Sequence, residues 1–133
     1  MRLHEFRFYY FTSLYDQTVT FYRDVIGLEV FHAWDRGAGD RGTIFRSPNG
    51  AGLIEIEAGI ESPSIPGGFY IEVDDVGKWY EEIGQRGAPI LKELSTTSYG
   101  HRNFKTTDPS GVEVAFFEYV TRPPHATPQP DTR

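Results

Sequence analysis

Arg7, Glu55, Glu57, Glu72, Glu113 and His101 are the residues of this 133-residue chain whose types and spacing bear on chemistry. Arg7 alternates with Glu5 and Tyr9 in His4–Phe11, and Glu55 alternates with Glu57 in Leu53–Ala58, so each set lies on one face of an extended segment. A guanidinium stays charged at any working pH and is rarely buried unpaired. An inward Arg7 must therefore meet Glu55, Glu57 or Glu72, or hold the carboxylate of a ligand. His101 follows Tyr99-Gly100, and a near-neutral imidazole beside a phenol is a candidate acid/base pair. His4, His32 and His125 show no metal-ligand spacing and read as solvated. The absence of cysteine excludes disulfides, thiolate metal sites and a cysteine nucleophile.

The elements that must position these groups form an internal repeat. His4–Phe11 reads as an aromatic-rich strand. A helix follows, with Asp16 as its N-cap, Thr18, Phe21, Tyr22 and Val25 as its apolar stripe, and Gly27 at its C-terminal end. Strands are expected at Leu28–Trp34, Arg41–Arg46 and Leu53–Ala58, the last two joined by the turn Ser47-Pro48-Asn49-Gly50. After a linker the order recurs. Phe69–Val73 is a strand, Asp74 or Asp75 caps a helix with Val76, Trp79, Tyr80 and Ile83 as its stripe, and Gly87 closes that region. Ile90–Ser95, His101–Thr106 and Val112–Val120 complete the copy, with Asp108-Pro109-Ser110-Gly111 repeating the earlier turn. Phe8 and Phe69, like Pro48 and Pro109, are 61 residues apart, and Gly27 and Gly87 are 60 apart, which marks a duplication.

Strand alternation divides the faces. Phe6, Phe8 and Tyr10, and Phe69, Ile71 and Val73, should lie under the helices. Arg7, Tyr9, Leu53, Glu55 and Glu57, with Tyr70, Glu72, Glu113, Ala115 and Phe117, should line the opposite face. A mixed polar and aromatic concavity of this kind suits a small molecule. The net charge of −6, with lysines and arginines scattered, lacks the basic footprint of a nucleic-acid binder. No apolar run is long enough to cross a bilayer and MRLHEFRF is not a signal peptide, so the chain is expected to be soluble and cytoplasmic, without a membrane partner.

Thr20-Phe21-Tyr22-Arg23-Asp24-Val25-Ile26-Gly27-Leu28-Glu29-Val30, Glu72-Val73-Asp74-Asp75-Val76, Tyr99-Gly100-His101-Arg102-Asn103-Phe104 and Asp108-Pro109-Ser110-Gly111-Val112-Glu113-Val114 occur in order on the duplicated unit. In this the chain resembles the vicinal oxygen chelate superfamily, which includes glyoxalases, bleomycin-resistance proteins and dioxygenases, over about residues 3–120. The resemblance implies an α+β fold of two βαβββ modules forming a curved mixed-sheet cleft with helices outside. One domain would span 1–121, with modules at 3–60 and 68–120, a linker at 61–67, and a proline-rich tail at 122–133.

The family's enzymes hold a divalent ion in an open site that acts as a Lewis acid. Its four ligand positions carry over to Arg7, Glu55 (if one residue bulges near Gly52), Gly68 and Ala115, of which only Glu55 is a metal donor. Arg7 would then supply positive charge beside Glu55 in place of the ion. The expectation is a metal-independent small-molecule binder like the bleomycin-resistance branch, with no cofactor, which takes cationic antibiotics in aromatic, acidic clefts of a homodimer. Trp34, Phe45, Tyr70, Phe104 and Phe117 are its candidate wall residues, and Glu55, Glu57, Glu72 and Glu113 its candidate anionic contacts. The alternative is a metal-dependent lyase or dioxygenase whose ligands have moved to His4, His32 or His101 around Glu55.

Overall fold

The computed structural model describes residues 1–47 and 52–121; the middle of the first tight turn and the proline-rich tail with His125 lie outside them. Aromatic and β-branched residues in alternation build β1 (Arg7–Thr12), β2 (Glu29–Asp35), β3 (Arg41–Arg46) and β4 (Leu53–Ala58) in the first module. The second contains β5 (Gly68–Glu72), β6 (Ile90–Thr96), β7 (His101–Thr107) and β8 (Glu113–Tyr119). Helix α1 (Tyr15–Thr20) follows β1 and α2 (Val76–Gln85) follows β5. The two sheets have the same strand order, β1-β4-β3-β2 and β5-β8-β7-β6, with only the β1–β4 and β5–β8 pairs parallel. The duplication expected from the spacing is thus present in topology. Among the described residues, no helix is long and apolar enough to cross a membrane.

Local details depart from expectation for physical reasons. The first strand begins at Arg7 rather than His4, so Phe6, expected on the covered face, precedes the pairing and is 77% exposed. Asp16 does not cap α1. Leu14 occupies that position without a side-chain bond, and Asp16, already inside the first turn, pairs with Arg41 at 2.9 Å. Beyond Thr20 the helix widens into π turns (Phe21–Ile26) ending at Gly27, whose φ of +86° suits glycine. The wider turn rotates Ile26 into the core and leaves Val25 only partly buried. Asp75 caps α2, its carboxylate accepting from the Lys78 N–H.

One apolar core lies between the helices and the covered faces of both sheets, and Tyr22, Phe45, Phe104 and Phe116 are each fully buried in it. The modules are tied at Asp108. Tyr10 and Tyr22 donate their hydroxyls to its Oδ2, the latter at 2.7 Å, while the Ser110 and Val112 N–H groups donate to Oδ1 at 2.8 and 3.0 Å. Ser110 Oγ lies 2.6 Å from Thr12 Oγ1 and 2.7 Å from Thr18 Oγ1, and Phe8 packs on Phe69. Burial, followed by the charge of Asp108, pushes the Tyr10 phenol well up; burial, followed by Tyr10, does the same to Tyr22.

Candidate functional site

Each sheet presents a face that the helices do not cover, and register decides what stands on it. In the first sheet Tyr9 faces Glu55 and Phe11 faces Glu57 across β1–β4, while Ile44 and Gly42 flank the same two glutamates from β3. Beyond them β2 brings His32 opposite Ile44 and Trp34 opposite Gly42. Arg7, Tyr9, Trp34, Glu55 and Glu57 therefore share one open face, as expected.

Arg7 Nη1 donates to Glu55 Oε1 at 2.6 Å, and Nη2 donates to Glu5 at 2.7 Å. The guanidinium thus finds the first of the three partners that its chemistry demanded. Glu55 and Glu57 stand two residues apart on the same face of β4, so each bears on the other's charge. Burial alone would raise Glu55, but the bonds from Glu57 and Arg7 outweigh it and hold the carboxyl below its ordinary range. Glu57 is pushed up to about 7, by burial first, then by its bond to Glu55 and the negative charges of Glu55 and Asp40, with Arg36 opposing. Nearby, Trp34 Nε1 donates to Asp40 at 3.1 Å and its ring lies over Gly42, where an added Cβ would come within 2.1 Å of it.

The second sheet's open face carries Tyr70, Glu72, Glu113 and Phe117, as the alternation implied, and His101 joins them from β7. Tyr70 pairs with Ala115 and Glu72 with Phe117 across β5–β8, and Phe117 and Tyr119 face Asn103 and His101 across β8–β7. His101 stacks on Phe117 with ring centroids 4.2 Å apart, and Tyr70 meets both rings edge-on. Beside Tyr70 is a cavity of about 210 Å³ lined by Gly67, Gly68, Phe69, Tyr70, Lys105, Glu113 and Ala115. Lys105 Nζ stands 3.9 Å from Glu113 Oε1 at its edge. Gly68 is required there, since a Cβ would lie 1.7 Å from the Glu113 carbonyl oxygen.

Two expected wall residues are misplaced. Phe45 and Phe104 have the opposite parity, are fully buried, and pack against Tyr22 and against Phe116 and Tyr80 beneath the helices. They are core residues. β3 and β7 are internal strands buried on both faces, where alternation stops distinguishing inside from outside. The sequence reading missed Asn103, buried on the open face and held to His101, although its i, i+2 spacing from His101 was visible. It also missed Gly42, whose signal was a glycine within a strand.

Of the four positions that carry metal ligands in the resemblance, Arg7 is a cation and Gly68 and Ala115 offer no side-chain donor. Among the described residues no three His, Cys, Asp or Glu side chains converge to hold an ion. The residues present do not fit the family's divalent metal.

A family model described as the Glyoxalase/Bleomycin resistance protein/Dioxygenase superfamily matches residues 3–116. No curated protein sequence matches the chain. Among solved structures, the antibiotic binding protein TnmS3 from Streptomyces sp. CB03234 superposes with a TM-score of 0.73 at 18% identity, covering 89% of this chain and 97% of that one. TioX from Micromonospora sp. ML1 gives 0.70 at 18% identity, with 87% and 98% covered. A lactoylglutathione lyase from Agrobacterium tumefaciens gives 0.66 at 21% identity, with 86% and 92% covered. At such identities the likeness is one of fold.

Proposed function

Because the chain belongs to the Glyoxalase/Bleomycin resistance protein/Dioxygenase superfamily, we propose that it is a cytoplasmic small-molecule binding protein that works without a bound metal. The observation that carries this reading is the 2.6 Å Arg7–Glu55 ion pair. It occupies two of the positions where the family's resemblance places metal ligands, and it satisfies a half-buried carboxylate internally, as a cation would. Gly68 and Ala115 stand at the other two. That TnmS3 is an antibiotic binding protein agrees with a ligand of antibiotic type.

The ligand class we favour is cationic and aromatic. Trp34, Tyr9, Tyr70 and Phe117 offer ring faces, and Glu55, Glu72 and Glu113 offer negative charge. The functional unit we favour is a homodimer. Tyr9, Phe11 and Tyr70 are 61%, 52% and 57% exposed on the open faces, more aromatic surface than a chain working alone would leave in water.

The test is fluorescence titration of the metal-free chain with a panel of cationic aromatic compounds, ethidium and acriflavine among them. Saturable quenching that Trp34→Phe removes and EDTA leaves unchanged is expected. Binding that appears only on adding a divalent metal would overturn metal independence, and the absence of saturable binding across the panel would overturn the ligand class.

A further inference from the structure

The open face of the second sheet keeps a buried polar pair where an apolar pair would pack as well. His101 and Asn103 stand two residues apart on β7, 8% and 2% exposed, although no helix covers them. Rings do so instead: Phe117 stacks on the imidazole, Tyr70 and Tyr119 meet it at 5.7 Å, and Tyr99 lies at 5.5 Å. Asn103 Nδ2 is 2.8 Å from His101 Nδ1, while Asn103 Oδ1 is buried without a partner among the described residues. Leaving an acceptor unmatched in this way destabilises the free protein, and a hydrocarbon pair would avoid the loss.

The Asn103 amide is oriented with Nδ2 toward the ring; donating to Nδ1 in that orientation, it puts the ring proton on Nε2. Among the described residues Nε2 has no hydrogen-bond partner. Burial, then the positive charge of Lys92, lowers the imidazole pKa against the opposing pull of Glu72, so Nε2–H is a neutral donor near neutral pH. Tyr70 is shared between this cluster and the cavity of about 210 Å³, which has space for a small ring system.

We propose that His101 is a ligand-recognition residue: its Nε2–H donates to a carbonyl or phenolate oxygen of a flat aromatic ligand lying against Tyr70 and Phe117, and Asn103 is its positioning residue. This rests on the small-molecule reading above and adds a hydrogen-bonded oxygen to the ligand.

The experiment combines imidazole nitrogen NMR of the full chain with a titration of 4-nitrophenol at a mildly alkaline pH where it is ionised. The free protein should show the Nε2-protonated tautomer, and 4-nitrophenolate should shift that resonance on binding. His101→Phe, which keeps an aromatic ring, should weaken binding about tenfold, the loss expected of one hydrogen bond. His101→Gln, which restores an N–H donor, should recover part of the loss. Asn103→Ala should change the tautomer and move the pH midpoint of binding, which a purely structural role would leave in place. 4-Nitroanisole, without the anionic oxygen, should bind more weakly than 4-nitrophenolate by a similar factor. The Nδ1-protonated tautomer, or equal phenolate affinity in wild type and both His101 variants, would overturn the inference. If 4-nitrophenolate fails to bind while cationic compounds still do, the inference falls and the small-molecule reading stands. If neither class binds, both fall.

Discussion

Replacing Asp108 by alanine should cost about 3–5 kcal/mol, because it strands several buried hydrogen-bond donors. In the intact protein the carboxylate accepts from Tyr10, Tyr22, Ser110 N and Val112 N, and its side chain sits in an environment only 2% exposed. Four donors are left without an acceptor, and each would cost about 1–3 kcal/mol if fully stranded. Their sum exceeds the expected loss because water and small shifts can satisfy some of them. Against a total stability of about 5–15 kcal/mol this is a large fraction. Asp108→Asn should be milder, about 1–2 kcal/mol, since the amide oxygen can still serve the two backbone N–H groups and its NH₂ can donate to the tyrosine hydroxyls. Tyr22→Phe should cost about 1–2 kcal/mol in the wild type and little in Asp108→Ala, since its acceptor is already gone. Denaturant unfolding with a constant m-value measures all three variants and the double mutant. If Asp108→Ala costs under about 1 kcal/mol, or if Tyr22→Phe costs the same in both backgrounds, the Asp108 network is not what joins the modules.

Three other outcomes follow from the same contacts. The folded pKa of Glu57 is raised from an ordinary 4.5 to about 7, so its contribution favours folding at low pH and fades as pH climbs through that window. Denaturation midpoints measured from mildly acidic to mildly alkaline pH should therefore fall more steeply in wild type than in Glu57→Gln, and parallel curves would contradict the upward shift at Glu57. Gly42→Ala puts a methyl group 2.1 Å from the Trp34 ring, so Trp34 must move; expected are a red-shifted emission and a loss of about 1–3 kcal/mol, against no change if the ring were free to swing. Phe45→Ala should destabilise by about 3–5 kcal/mol as a core deletion, whereas a pocket-wall residue would lose ligand affinity with little change in folding.

Period-two alternation was enough to place Arg7, Tyr9, Glu55 and Glu57 together, because β1 and β4 have one covered and one open face. It failed at Phe45 and Phe104, whose strands carry apolar or buried residues on both sides. Ile44 and Phe45 are both buried, and nothing local says which faces the helix. Asp108 read as an ordinary turn residue, since Asp-Pro-Ser-Gly satisfies turn chemistry by itself. Its bond to Tyr10 spans 98 residues and depends on how the modules meet. The shift of the buried stripe from Val25 to Ile26 was equally hidden, because it follows from a widened helical turn that propensity does not foretell. His101 drew notice through its neighbours Tyr99 and Gly100, yet its hydrogen-bond partner is Asn103, whose i, i+2 spacing stood in the sequence but whose contact depends on burial of that face.

On the reading proposed above, Arg7 beside Glu55 does the electrostatic work of an ion. The most direct measurement is elemental analysis of protein purified without an affinity tag or chelator, paired with its melting temperature before and after excess EDTA. An ion bound only to the native state must raise that temperature. Metal well below one equivalent and an unmoved melt are the predicted result. About one equivalent of iron, manganese, zinc or nickel, with a melt that EDTA lowers, would contradict the account and assign the chain a metal centre built from other residues.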